Sequence, residues 1–300
     1  MEKFFSQPSA KTSNPLERIL TYGRMIKFSH TVFALPFALS AVILAQRYYP
    51  IILSDIFWIL IAMVGARSAA MGFNRIADAG FDAKNPRTLN REIPSGRLSL
   101  ASAKIFVIIF SGLFVFASWM LGRLCFLCSF PVLAILFSYS YTKRFTWAAH
   151  LYLGFAISLA PIGAWIALSK TFSWEILLLS SALMTYIAGF DILYACQDID
   201  FDKKEKLFSI PVSFGIRNAL FIAGLLHSLS FGFFFLIFFA FDMQIIYLIT
   251  VFIIGILFVI EHRLVHPDDL SHINIAFFHI NSLVSVLLFI GVLADEILKR

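Results

Sequence analysis

Two groups of aspartates stand at the ends of hydrophobic runs, and their spacing suits one kind of chemistry. Asn74, Asp78 and Asp82 follow one another at intervals of four residues, as do Asp198 and Asp202. On a helix such residues lie on one face about a turn apart. Carboxylates so close repel one another unless a cation lies between them. In an apolar chain, two such pairs point to a hard divalent metal held by oxygen ligands and, through it, to a phosphate. Asp191 lies inside the hydrophobic run that precedes the second pair, and an ionisable group there is a functional candidate by default. Asp200 projects away from the Asp198/Asp202 face and is expected to be solvated. The competing reading for Asp202, which adjoins Lys203 and Lys204, is a plain surface charge cluster.

Basic residues lie close by. Arg67 sits within a hydrophobic run, where a charge costs on the order of 2.5–3.5 kcal/mol on insertion scales. It is therefore expected to pair with Asp78 or with an anionic substrate group, the alternative being a cation snorkelling to the interface. Arg87 and Arg91, again four apart, have the forked geometry that binds phosphate oxygens, whereas Lys84 and Arg97 read as a solvated basic loop. Lys143 and Arg144 end another run, either as a stop-transfer cluster or as partners for a departing phosphate. The histidines offer no helical zinc motif: His262 and His266 are four apart but Pro267 follows directly, and His279 reads as a core residue. Cys125 and Cys128 form a CxxC with no second pair to complete a metal site, so buried apolar thiols are expected. No phosphate-loop, dinucleotide or serine-hydrolase motif occurs.

Positioning these residues falls to elements that a membrane shapes. Of 300 residues 60% are hydrophobic and only 14% charged, with 35 Phe, more apolar surface than a soluble domain buries. An all-α integral membrane bundle is expected. Runs of roughly 20 residues, enough to cross a bilayer, fall at 28–46, 52–73, 100–121, 124–141, 148–169, 174–195, 217–240, 243–261 and 274–294, which predicts nine transmembrane helices. Residues 1–25 read as a cytoplasmic N-terminal segment without a cleavable signal, and 26–300 as a single membrane domain. Connections after the first, third, fifth and seventh spans are short, while those after the even spans carry most of the 24 Lys and Arg. The positive-inside rule then puts the N-terminus and both aspartate clusters in the cytoplasm and the C-terminus outside, in a plasma membrane of the bacterial inner-membrane type. Topology accounts for the net charge of +6, and basic residues interleaved with acids give no nucleic-acid surface. Both aspartate loops open on a DxxxD pair, pass through basic residues and close on Pro near Gly, which hints at a duplicated unit.

Asn74, Asp78 and Asp82, followed by Arg91 and Pro94-Ser95-Gly96, resemble the first signature of the UbiA superfamily of intramembrane aromatic prenyltransferases, and Tyr194 to Asp198 with Asp202 resembles the second. Arg67 and Lys143-Arg144 extend the likeness over most of the chain. The family's first motif usually opens Asn-Asp, whereas this chain has Asn74-Arg75; the Asn-Arg form is most similar to a menaquinone-pathway branch. The resemblance implies a Mg²⁺-dependent transferase that moves a polyprenyl group from polyprenyl diphosphate to a ring carbon of an aromatic acid, 4-hydroxybenzoate or a hydroxynaphthoate, in respiratory quinone (ubiquinone or menaquinone) synthesis within the lipid bilayer. It assigns metal to Asn74, Asp78, Asp82, Asp198 and Asp202, diphosphate to Arg87, Arg91, Lys143 and Arg144, and catalysis to Asp191, Tyr194 and Arg67. The non-enzyme alternative is a transporter whose pathway is lined by Asp191 and Arg67; it predicts charges and broken helices near the bilayer middle.

Overall fold

The computed structural model describes residues 14–270, 273 and 275–299. Among them the chain is helical, the one pairing of strand type being an isolated bridge between His266 and Asp269. A first helix, α1 (Pro15–Met25), is capped by Asn14, whose side chain accepts from the Leu16 amide. A 3₁₀ turn (Phe28–Phe33) leads to α2 (Leu35–Ala45), and α3 (Leu53–Ala77) passes into the four-residue α4 (Ala79–Asp82). Then come α5 (Leu100–Leu121), α6 (Arg123–Thr142), α7 (Ala149–Ser169) and α8 (Ile176–Ala195). Short helices α9 (Ile199–Lys204) and α10 (Ile210–Phe214) precede α11 (Ile216–Ala240) and α12 (Ile245–Leu264). A π turn (Ile275–Ile280) opens α13 (Asn281–Lys299).

Among the described residues eight helices are long and apolar enough to cross a membrane, and nine spans result if the bent pair Ile19–Met25 and Ser29–Ala45 is taken as one. The first expected span is thus not a straight helix. Lys27 adopts a left-handed backbone (φ 46°), and Pro36 near the start of α2 has no amide to continue a preceding helix. The chain bends by 47° between Met25 and Ser29, at Lys27 and ahead of Pro36. The segment expected as a plain cytoplasmic arm is helical from Pro15, while residues 1–13 lie outside the described residues.

Two units share one plan. In each a long helix stops at an aspartate, continues in a short helix, and returns through a loop into a second long helix packed on the first: α3, α4, α5 and α8, α9, α11. Without a hydrophobic drive between helices in lipid, close approach comes from small residues. Gly65 of α3 faces the Phe114 backbone of α5, where an added Cβ would stand 2.9 Å from the Phe114 nitrogen. Gly154 of α7 lies against the Met184 carbonyl of α8 in the same way. Phe37, Tyr186, Phe234 and Tyr247 are fully buried at the centre, and both tyrosine hydroxyls donate to carbonyls, Tyr186 to Asn281 (2.6 Å) and Tyr247 to Phe234 (2.9 Å). Far from the aspartate motifs, Asp295 accepts from the Gln244 and Tyr247 amides at the start of α12 (2.7 and 3.0 Å), and Arg47 pairs with Glu296. These contacts fix the opposite end of the bundle.

Candidate active site

Asp78 and Asp198 occupy equivalent breaks. Asp78 (φ −96°, ψ 3°) ends α3 and Asp198 (φ −101°, ψ 6°) separates α8 from α9, both in the bridge region between helix and strand conformations. The chain turns there, so the second aspartate of each pair falls on a short helix. Both second aspartates are buried, Asp82 at 6% and Asp202 at 3% exposure. The Asn74 amide still donates to Asp78 across one turn (2.9 Å), but Asp82 has left that helical face. All five expected metal residues nevertheless line one cavity of about 180 Å³, together with Arg87, Arg91, Lys143, Arg144, Asp191 and Tyr194.

Each of the four motif aspartates meets a different cation. Arg87 forks onto Asp198, Nη2 to Oδ2 at 2.5 Å and Nε to Oδ1 at 2.9 Å. Arg91 Nη1 reaches both oxygens of Asp82 (2.7 and 2.8 Å). Lys143 Nζ lies 3.2 Å from Asp202, and Arg144 Nη2 3.5 Å from Asp78 while donating to the Ala77 carbonyl (2.7 Å). Arg87 belongs to the first loop and Asp198 to the second motif, so this pair ties the two loops together, as does Lys84 with Glu205 (2.6 Å). Lys84 is therefore exposed yet tethered. Burial works against charge on Lys143, but the carboxylates of Asp202, Asp191 and Asp198 hold its pKa above the ordinary lysine value. Burial, and then the Asp82 carboxylate, push the Asp78 carboxyl above the usual aspartate range, with Arg144 pulling it down. Asp200 is exposed, as its position predicts.

A second cavity of about 230 Å³ is almost wholly apolar and runs among α3, α5, α6 and α7. Asn74 and Tyr139 line both cavities, so they stand where polar and apolar spaces adjoin. Arg67 lines the apolar one near that junction and donates to the Lys27 carbonyl (3.1 Å). It does not pair with Asp78. Cys125 and Cys128 are free, partly buried thiols lining the same apolar space.

Residues 34–283 match the model of the UbiA prenyltransferase family. The chain belongs to that family. Among UbiA relatives, the 4-hydroxybenzoate octaprenyltransferase of Chromohalobacter salexigens is 29% identical over 78% of this chain and 79% of its own, and that of Citrobacter koseri 28% over 78% and 82%. The polyprenyl transferase atnF of an Arthrinium species is 32% identical, with the chain spanning about half (53%) of that relative's length. The apo structure of a UbiA homolog from Aeropyrum pernix superposes with a TM-score of 0.81 at 30% identity, covering 89% of this chain and 98% of the other. A UbiA homolog from Archaeoglobus fulgidus bound to DMAPP and Mg²⁺ shares the fold at a TM-score of 0.74 and 19% identity, covering 92% and 98%. The membrane-embedded, all-helical UbiA fold expected from the sequence is thus the fold of this chain.

Sequence reasoning missed three residues of the site. Arg75, noted only as a departure from the family pattern, is 5% exposed, lines the polar cavity and donates to the Met25 carbonyl (3.1 Å), which fastens α1 to α3. Asn85 reaches Asp198 (3.4 Å) from the first loop. His150, one of several histidines without motif spacing, bonds Asp191 (2.6 Å). Only its position six residues after Arg144, at the start of a span, marked it as belonging to this end of the bundle.

Proposed function

We propose that the polar cavity binds a polyprenyl diphosphate with Mg²⁺ and transfers the prenyl group to a ring carbon of an aromatic acid, 4-hydroxybenzoate or a hydroxynaphthoate, for a respiratory quinone. The observation that carries this reading is the one-to-one pairing of four cations with four aspartates at the mouth of an apolar cavity. Such a site is neutral as it stands and holds both partners a metal diphosphate needs.

Among the described residues no three His, Cys, Asp or Glu side chains converge into a ready metal cage. Mg²⁺ keeps several waters and is held by one or two carboxylates plus substrate phosphates. The donor set fits: Asp78 and Asp82 on one side, Asp198 and Asp202 on the other, all hard oxygens, with the Asn74 amide beside Asp78. When bound, the metal supplies neutralisation of the diphosphate and improves it as a leaving group. With Asp78, Asp82, Asp198 and Asp202 as the residues that would hold the metal, Arg87, Arg91, Lys143 and Arg144 would donate to the phosphate oxygens and to the charge that builds on them.

The allylic C–O bond breaks and its electron pair leaves with the diphosphate. The allylic cation left behind survives only where water is excluded, and the apolar cavity beyond Asn74 and Tyr139 supplies that space. An aromatic face such as that of Tyr139 stabilises such a cation by up to about 2 kcal/mol when desolvated. A π pair of the acceptor ring then forms the new C–C bond. Arg67, buried beside the junction without a carboxylate partner among the described residues, holds the acceptor carboxylate, and Asp191 and Tyr194 face the hydroxyl and ring proton. The relatives named 4-hydroxybenzoate octaprenyltransferases and the fold-mate bound to DMAPP and Mg²⁺ support this reading.

The test is prenyl transfer by the purified protein in detergent, with a polyprenyl diphosphate and Mg²⁺ against a panel containing 4-hydroxybenzoate and 1,4-dihydroxy-6-naphthoate. A prenylated product from one acceptor supports the reading and names the quinone class. No product from any aromatic acid, with folded protein, contradicts it.

A further inference from the structure

His150 is the second residue of α7 and is fully buried (0% exposed). Its Nδ1 lies 2.6 Å from Oδ2 of Asp191 on α8, while its Nε2 is buried with no hydrogen-bond partner among the described residues. An ionised carboxylate only accepts, so Nδ1 carries the hydrogen and donates it. A proton on Nε2 would be an unpaired donor in buried surroundings, which is costly. The ring thus aims its Nδ1 side at Asp191. Asp191 differs from the four motif aspartates: it acts on Lys143 only from beyond ion-pair distance, and among the described residues its hydrogen bond is to His150. Yet it lines the polar cavity beside Tyr139 and Tyr194, with its side chain 20% exposed. One carboxylate oxygen is thus anchored, and the other has no described partner.

We infer that His150 is a positioning residue that orients Asp191 as the base for the acceptor ring. This rests on the prenyl-transfer reading. After C–C bond formation the ring carries one hydrogen too many at the alkylated carbon. That C–H bond breaks, its electron pair restores the aromatic ring, and the proton passes to the Asp191 carboxylate, with no oxidant or reductant involved. A carboxylate free to rotate would meet that hydrogen less often, and an imidazole N–H held 2.6 Å away fixes one orientation. Such oriented proton transfer is worth about 10²–10⁴-fold in rate.

The experiment compares wild type, His150→Leu, His150→Asn and Asp191→Asn as full-length protein in detergent. It uses a polyprenyl diphosphate and the acceptor that wild type consumes, carrying hydrogen or deuterium at the alkylated carbon. His150→Leu is expected to lower kcat by about 10²-fold with little change in KM for the diphosphate, and to reveal a primary isotope effect absent from wild type. Asp191→Asn shows the same signature. His150→Asn, whose amide nitrogen stands near the position of Nδ1, recovers much of the rate. The role is overturned if His150→Leu keeps the wild-type kcat. It is equally overturned if kcat falls without an isotope effect and without rescue by Asn, which is the pattern of a packing residue. A wild-type protein inactive with every aromatic acceptor would instead remove the prenyl-transfer reading, and this role with it.

Discussion

Arg87 is the residue on which the two aspartate motifs meet, since it leaves the first loop and forks onto Asp198 of the second. A lysine keeps the charge but loses the fork. Arg87→Lys is therefore expected to reduce kcat/KM for the prenyl diphosphate and Arg87→Ala to reduce it further, by about 10²–10³-fold, the usual cost of one oriented contact to developing charge. Steady-state kinetics check this, and a lysine variant equal to wild type would remove the bidentate role. Asp78 carries a pH consequence. Its carboxyl is held above the usual aspartate range, chiefly by burial and then by Asp82, so it regains its proton sooner as pH falls. A protonated carboxyl is a poor metal ligand. The Mg²⁺ concentration for half-maximal rate should accordingly rise on acidification, starting at a higher pH than an ordinary aspartate would dictate. A requirement that stays flat through that range would exclude Asp78 as a ligand. The aspartates and the four cations were legible in the sequence because both lie at fixed spacings beside spans. The partnerships were not: Arg87 lies 111 residues from Asp198 and His150 41 from Asp191, and one sequence records no such contact.

At the scale of helices, the hydrophobic runs predicted the long elements well because the bilayer demands a length, and α5 spans the very residues 100–121 expected. Helical spacing was less reliable at the motifs. Asn74, Asp78 and Asp82 read as one face, but the backbone at Asp78 leaves the helix (ψ 3°) and re-aims Asp82. The aspartates converge through that turn, repeated at Asp198, and not through an unbroken stripe. Composition alone also hid the bend at Lys27, where apolarity continues through residues that cannot all be helical. Packing between spans depends on small residues. Gly65→Ala would put a Cβ against the Phe114 backbone, and overpacking of this kind costs about 1–3 kcal/mol. A lower unfolding temperature in detergent is expected; an unchanged one would show that α3 and α5 can separate without cost.

For the whole molecule, one polar end and the apolar cavity that adjoins it define a direction. Both aspartate motifs, their cations and the Lys84–Glu205 tether lie at one end, while Arg47, Glu296 and Asp295 close the other. The transporter alternative needed charges and breaks near the bilayer middle, whereas α3 and α8 run unbroken up to their aspartates. From the charge asymmetry of the connections we propose that the polar end faces the cytoplasm. Alkaline phosphatase fused at the C-terminus should then be active and a fluorescent protein there dark, and the reverse pattern would invert the topology. The most direct test of the account is Mg²⁺-dependent prenyl transfer by wild type, Asp78→Ala and Asp198→Ala, each shown to be folded. The paired-aspartate site predicts a product that requires Mg²⁺ and is lost in both variants. Transfer that survives both substitutions would contradict it.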